Sequence, residues 1–333
     1  MKSRTTEEIL RLAGQFMESR VLLAAAELDI FTMLARSPLS ASEVAMRSKM
    51  TGRGTTILLN ALVAMGLLEK EGEKFRCPPA LTPVLTKDTP DSILPMILHM
   101  ATLWGRWSDL TEIVRNGADS LKPVTSMTGH DQEAFIGAMH VVGARLAREI
   151  VTAVEPGHAE RLLDVGGGSG TYVQAFLEAC QNMSATIFDL SQVIEMARRR
   201  LGYAGLLDRV RLVPGSFYED ELPMGHDLVL LSAIIHMNSH DQNLELYRKI
   251  WRALEPGGRL VIRDHVMNPD HTQPTGGTLF AVNMLVATKG GDCYSLEEIT
   301  GALSKAGFVK IRSLRAGENM DCLVEAIKPE YPK

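Results

Sequence analysis

The chain lacks any apolar run long enough to cross a bilayer, which takes about 18 consecutive residues, and no stretch of its 333 residues reaches that length. It also lacks a basic balance. With 35 Lys and Arg against 40 Asp and Glu, the net charge is −5, and no overall positive field invites nucleic acid. It is poor in cysteine: Cys77, Cys180, Cys293 and Cys322 stand far apart with no C-x-x-C spacing, which argues against a zinc site and against a disulfide framework. His226, His240, His265 and His271 are not grouped at metal-ligand spacing, so no catalytic metal is expected. The opening residues "MKSRTTEEILRLAGQF" carry acids and polar groups where a secretory signal needs an apolar stretch. The reading is a cytoplasmic protein with reduced thiols and no membrane span.

What is present is an ordinary globular composition, 45% hydrophobic and 23% charged, on a chain long enough for two domains. Residues 1–98 read as mainly helical. "TTEEILRLAGQFMESRVLLAAAELDIFTMLA" spaces apolar side chains at helical intervals. Ser40 and Glu43 form a capping-box signature, and "TTILLNALVAMGLLEKEGEKFRC" reads as a helix and then a hairpin turning at Gly72. Three helices and a hairpin are the order of a winged helix. The would-be recognition helix, Thr55 to Met65, has no basic residue, whereas DNA contact needs several cations to neutralise phosphates. Packing or dimerisation is the better expectation. Residues 99–157, with Trp104, Trp107 and many Met, read as connecting helices that contribute to a pocket and an interface.

Residues 158–333 change period. "RLLDVG", "SATIFDL", "RVRLVPG", "DLVLLSAII", "RLVIRDHV", "VKIRSLRA" and "DCLVEAI" are strand-like. Helical segments separate the first five, which signals an α/β, doubly wound parallel sheet. The last two lie close together and suit a terminal antiparallel hairpin, giving seven strands. In "LLDVGGGSGTYVQAF" a buried strand enters a Gly-rich turn and then a helix. Gly166, Gly168 and Gly170 let the backbone approach a ligand closely. A dinucleotide fingerprint would want a glycine or alanine at position 171, where the chain has Thr171. At the end of the next strand Asp189 can accept hydrogen bonds from both hydroxyls of a ribose. Its bland alternative, capping the helix that follows, is equally open to Ser191.

"LLSAIIHMNSHD" runs apolar residues straight into His236, so a segment that reads as a buried strand delivers an imidazole at its end. Together with "LLDVGGGSG", "FDLSQVI", "RALEPGGRLVIRDHVM" and "AVNMLVATKGG", it resembles the small-molecule O-methyltransferases of the plant caffeic-acid and acetylserotonin type and their bacterial relatives. The resemblance covers nearly the whole chain, with "AAELDIFTML", "LLNALVAMGLLE" and "FIGAMH" in the expected order. It implies a seven-stranded Rossmann-like methyltransferase sheet with an N-terminal winged-helix dimerisation domain. The implied state is a homodimer, and the implied cofactor is S-adenosylmethionine, leaving as S-adenosylhomocysteine. Cofactor contacts would come from Asp164, Gly166, Gly167, Gly168, Asp189, Leu190, Ser216, Phe217 and Ser232.

The resemblance makes His236 a general base oriented by Asp264, where relatives carry a Glu. The chemistry suits an imidazole, because a phenol is a poor nucleophile at neutral pH until its proton is taken. The acceptor would be a small hydroxylated aromatic, phenolic or N-heteroaromatic, set against Phe135, Met139, Met237, Asn283 and Met284. Phe135 and Met139 are spaced to share one helix face. Several positions depart from the family pattern. Ser216 and Phe217 replace an Asp-Met-Phe motif, Ser232 replaces a Lys, Met237 replaces an acid, and Cys293 stands where a second carboxylate falls beside Asp292. These departures leave open a methyltransferase fold that binds the cofactor but hydroxylates or decarboxylates, and the winged helix leaves open a ligand-sensing regulator.

Overall fold

The computed structural model describes residues 3–87, 89, 91–117 and 129–330, and for residues 129–135, 138 and 142 the backbone only. Two compact units result. One takes the described residues of Met1–Trp104 and Glu133–Val141, the other those of Gly105–Gln132 and Val142–Lys333. Among the described residues, no helix is long and apolar enough to cross a membrane.

The first unit contains α1 (Thr6–Gly14), α2 (Phe16–Glu27), α3 (Ile30–Arg36), β1 (Leu39–Ser40), α4 (Ala41–Arg47), α5 (Gly52–Ala64), β2 (Glu69–Glu71), β3 (Lys74–Arg76), α6 (Thr82–Leu85) and most of α7 (Leu94–Ser108). The long helical pattern at its start is three helices, because Gln15 ends α1 and Asp29 turns left-handed at φ 54° before α3. Both bonds of the Ser40–Glu43 capping box form at the start of α4. The hairpin β2–β3 turns at Gly72, φ 56°, and adds β1 to make a small antiparallel sheet. Ile30, Phe31, Leu34, Val44, Leu59, Leu62 and Phe75 fill its core.

The second unit contains α8 (Leu110–Asn116) and the parts of α9 (Gly129–Val154) outside Glu133–Val141. It continues with β4 (Arg161–Val165), α10 (Thr171–Ala179), β5 (Ser184–Asp189), α11 (Ser191–Tyr203), β6 (Val210–Pro214), β7 (His226–Ser232) and α12 (His240–Ala253). Then come β8 (Leu254–Asp264), α13 (Thr275–Ala287), α14 (Leu296–Lys305), β9 (Val309–Arg315) and β10 (Cys322–Ile327). All seven expected strands form one sheet, in the order β6-β5-β4-β7-β8-β10-β9. The first five pair in parallel, and β10 runs antiparallel between β8 and β9.

Side chains alternate along each strand, so the sheet has two cores. On one face Leu162, Leu228, Leu230 and Val261 meet Val173 and Phe176 of α10 and Ile194 and Ala197 of α11. On the other, Leu163, Val229, Leu231, Leu260 and Ile262 meet Leu246 and Ile250 of α12 and Ile299 and Leu303 of α14. The chain builds outward from β4 to β5 and β6, then restarts at β7 on the opposite side of β4. Such a reversal opens a crevice at the carboxyl ends of the strands, where α/β folds hold ligands.

Candidate active site

The strand that leads to His236 is shorter than its sequence suggests. β7 stops at Ser232 because Ala233 adopts φ 58°, although its N–H still donates to the Arg263 carbonyl at 2.8 Å. A single 3-10 turn, Ile235–Met237, then carries His236. Buried Asn238 and Asn243 hold that turn: the Asn243 side chain donates to the Ile235 carbonyl at 2.9 Å, and Asn238 donates to Asn243 at 3.0 Å. The Tyr294 hydroxyl donates to the Asn238 carbonyl, and Ser239 with Gln242 caps α12 immediately beyond.

Asp264 is the last residue of β8, on the neighbouring strand. Its two carboxylate oxygens each lie 2.9 Å from His236 Nδ1, and both residues are buried, His236 at 6% and Asp264 at 1% exposure. The backbone N–H of His265 donates to Asp264 Oδ1 at 2.8 Å. Burial pushes the Asp264 carboxyl up, but the His236 charge, its hydrogen bond and the His265 N–H together hold it below the usual carboxylate range. The short Asp therefore reaches the imidazole and stays ionised. An ionised acceptor at Nδ1 fixes the tautomer with its proton there and its lone pair on Nε2.

Other groups close around this pair. The Phe280 ring on α13 meets His236 edge-on at 4.9 Å and His265 at 5.0 Å between centroids. His265 thus faces the same ring as His236, not the opposite side of the sheet. An added Cβ on Gly291 would strike the His236 carbonyl oxygen, so the loop after α13 packs directly under the turn. Cys293 is buried, and burial together with the Asp264 and Asp292 charges keeps its thiol well above the usual range. Asp292 is exposed and accepts the Cys293 backbone N–H at 2.7 Å. Three further histidines have partners elsewhere: His226 bridges Pro223 and Thr186, while His240 and His271 face Glu298.

The glycine turn joins β4 to α10. Gly166, at φ 69°, would place a Cβ 2.5 Å from Ile234 Cδ1, so it is required for packing as well as conformation. Gly168, at φ 57°, has open space where a Cβ would stand. A Cβ on Gly167 would come within 2.9 Å of the Asp164 carboxyl. Asp164 is 1% exposed, and neither of its carboxylate oxygens has a hydrogen-bond partner. Burial and the Asp189 charge push it up to about 7. Asp189 accepts the Gly168 N–H at 2.8 Å and the Leu190 N–H at 2.7 Å, tying the turn to the end of β5. Neither Asp189 nor Ser191 caps α11, whose N-cap Leu190 is exposed and makes no side-chain cap bond.

The other expected residues lie on several elements. The Ser216 N–H donates to Asp220 at 2.8 Å. Phe217 packs on the core and lies 4.6 Å from the Tyr218 ring, while its carbonyl accepts from Lys249. Ser232 accepts a hydrogen bond from Arg263 at 3.1 Å. Met237 is half-buried on the His236 turn, and Met284 is buried on α13. Asn283 accepts the Trp107 indole N–H at 3.0 Å. Met139 is half-buried in the part of α9 that belongs to the first unit. The Phe135 side chain lies outside the described residues.

Three groups escaped the sequence reading. Arg263 is buried at 3% exposure with its guanidinium 5.2 Å from the Tyr172 ring, and nothing in "VIRD" marks it as more than a strand-end charge. Tyr172 reads as an ordinary helix residue. Phe280 lies in "TLFAVNML", which is apolar on all sides and so shows no preferred face; its position one turn before Asn283 was the available signal.

Comparison with known proteins identifies the assembly. Residues 107–309 match the O-methyltransferase domain family and residues 10–80 the O-methyltransferase dimerisation domain. The tetracenomycin polyketide synthesis 8-O-methyl transferase TcmO of Streptomyces glaucescens is 32% identical over 97% of this chain and 96% of its own length. The 3-hydroxy-5-methyl-1-naphthoate 3-O-methyltransferase of Streptomyces sahachiroi is 31% identical over 91% and 90%. Human N-acetylserotonin methyltransferase, solved in complex with S-adenosylmethionine, superposes with a TM-score of 0.85 at 26% identity over 99% of both chains. The chain belongs to the O-methyltransferase family.

Proposed function

We propose that this enzyme transfers a methyl group from S-adenosylmethionine to a hydroxyl of a small phenolic or N-heteroaromatic acceptor, with His236 as general base and Asp264 as its orienter. The observation that carries the reading is the buried His236–Asp264 pair at 2.9 Å, one turn past the strand that borders the glycine crevice. The residues of that crevice fit the cofactor. A buried carboxylate with two unpartnered oxygens at Asp164 suits an ammonium group, and the Gly168 position leaves room against the backbone. Asp189 suits a ribose, since each of its oxygens keeps a lone pair beyond the backbone bond it already accepts.

Bound S-adenosylmethionine supplies a methyl group on a sulfonium, already a strong electrophile. The protein then has two tasks, alignment of the acceptor oxygen and removal of its proton. Nε2 of His236 would take the hydroxyl proton, freeing the acceptor oxygen to receive the methyl group. The imidazolium that forms is stabilised by the Asp264 carboxylate on Nδ1. Phe280, stacked edge-on against the base, offers an apolar wall beside the reacting oxygen. On the same reading the enzyme works as a homodimer through its first unit. Helix α1 buries no residue of its own while exposing Ile9, Leu10 and Leu12, a surface that a second copy would cover. Labelled S-adenosylmethionine offered with a panel of hydroxylated aromatics tests the activity. Labelled methyl ether is the expected product, and cofactor binding without transfer to any acceptor would refute the reading.

A further inference from the structure

The sheet face that carries α10 holds two buried, oppositely charged groups that are not paired with each other. Asp164 stands on β4 and Arg263 on β8, with β7 between them. The register Asp164↔Leu230↔Val261 puts both side chains on one face, together with Ser232. Arg263 is buried, yet of its guanidinium nitrogens Nη1 alone has a hydrogen bond, to Ser232 at 3.1 Å, while Nε and Nη2 have no partner. Its guanidinium lies over the ring of Tyr172, in the first turn of α10, whose hydroxyl is also buried. Burial raises that hydroxyl first, and both charges act on it, Arg263 lowering it and Asp164 raising it, while a hydrogen bond with Ser232 also lowers it.

A buried guanidinium without a carboxylate partner is costly. Unpaired guanidinium N–H groups on the sheet face that α10 covers, beside a buried hydroxyl, suit a planar, bidentate anion. We propose that Arg263, with the Tyr172 hydroxyl, binds the α-carboxylate of the cofactor's methionine moiety, while Asp164 receives its ammonium. This rests on the cofactor reading above and extends it to two residues that the sequence motifs do not mark. Ser232 then acts by holding Nη1, leaving Nε and Nη2 for the ligand. The site is a zwitterion clamp: each half is unsatisfied without the ligand, and the two halves discriminate an amino acid tail from a plain alkyl group.

The test is direct binding, measured calorimetrically, with three adenosine thioethers as probes. S-adenosylhomocysteine carries both charges, its decarboxylated analogue keeps only the ammonium, and 5′-methylthioadenosine has neither. Wild-type protein should prefer S-adenosylhomocysteine to the decarboxylated analogue by about 100-fold, the worth of two charge-assisted hydrogen bonds. Arg263→Met should lose that preference while its affinity for 5′-methylthioadenosine stays unchanged, and Arg263→Lys should keep part of it. Tyr172→Phe, a smaller change that leaves the packing intact, should reduce the preference by about 10-fold. A wild type that binds the two charged probes equally overturns the inference without recourse to any variant. So does an Arg263→Met protein that weakens all three probes alike, which would mark a structural role. A wild type that binds no adenosine thioether would bring down the cofactor reading itself.

Discussion

His236 reaches Asp264 across two neighbouring strands, with one ring nitrogen equidistant from both carboxylate oxygens at 2.9 Å. The pair exists because β7 ends early. The left-handed Ala233 and the 3-10 turn after it bring the imidazole back over the end of β8. Asp264→Asn keeps the shape but replaces the anion with an amide that can offer Nδ1 either a donor or a weak acceptor. Turnover should fall by roughly 100- to 10,000-fold with cofactor affinity unchanged, and steady-state kinetics beside a binding titration separate the two.

Gly291 supports the same turn from below. A methyl group there would strike the His236 carbonyl, so Gly291→Ala should displace the base. Turnover should drop by at least about 10-fold, since small misplacements of a catalytic group are costly, while cofactor affinity holds. Kinetics compared with a Gly290→Ala control, whose added Cβ has Ser239 as its nearest neighbour at 3.1 Å, checks the direction.

At Gly166 conformation and space forbid a side chain together: φ is 69° and the added Cβ would lie 2.5 Å from Ile234. Gly166→Ala should cost about 1–3 kcal/mol of stability and weaken cofactor binding. Chemical denaturation of ligand-free protein measures the first, and titration with S-adenosylhomocysteine the second.

Asp164 gives the ligand-free enzyme a pH signature. Burial first, and the Asp189 charge second, raise it to about 7, so the folded protein holds this proton more tightly than the unfolded chain does. The stabilisation that the proton provides is complete below the unfolded value near 3.9 and is lost as pH rises through about 7. An ammonium partner favours the ionised form and reverses the preference. Affinity for S-adenosylhomocysteine should therefore fall as pH drops below about 7, by up to roughly tenfold per pH unit, with proton release on binding. Asp164→Asn should bind weakly with this pH dependence removed. Calorimetry in buffers of different ionisation enthalpy reads the proton directly.

Much of the second unit was legible because its strands are β-branched and Leu-rich runs bounded by turns, and all seven appear where those runs lie. The glycine turn and Asp189 were legible for the same local reason: a strand, a turn and an acid at fixed spacing. The end of β7 was not, because Ala233 and the residues after it are as apolar as the strand, and only tertiary packing makes that alanine left-handed. The charge arrangement was the least visible. Arg263 and Asp164 lie about 100 residues apart and are brought onto one face only by the register of three parallel strands. Strand alternation alone would turn His265 away from Asp264, but alternation ends with β8, and beyond it Phe280 gathers both imidazoles.

Whether His236 removes the acceptor's proton is decided by comparing His236→Ala with wild type in single-turnover methyl transfer at saturating cofactor. The rate should fall by roughly 100-fold or more with unchanged affinity for S-adenosylhomocysteine, and recover partly at high pH, where the acceptor ionises unaided. Equal rates for the two proteins at neutral pH would contradict that role of His236.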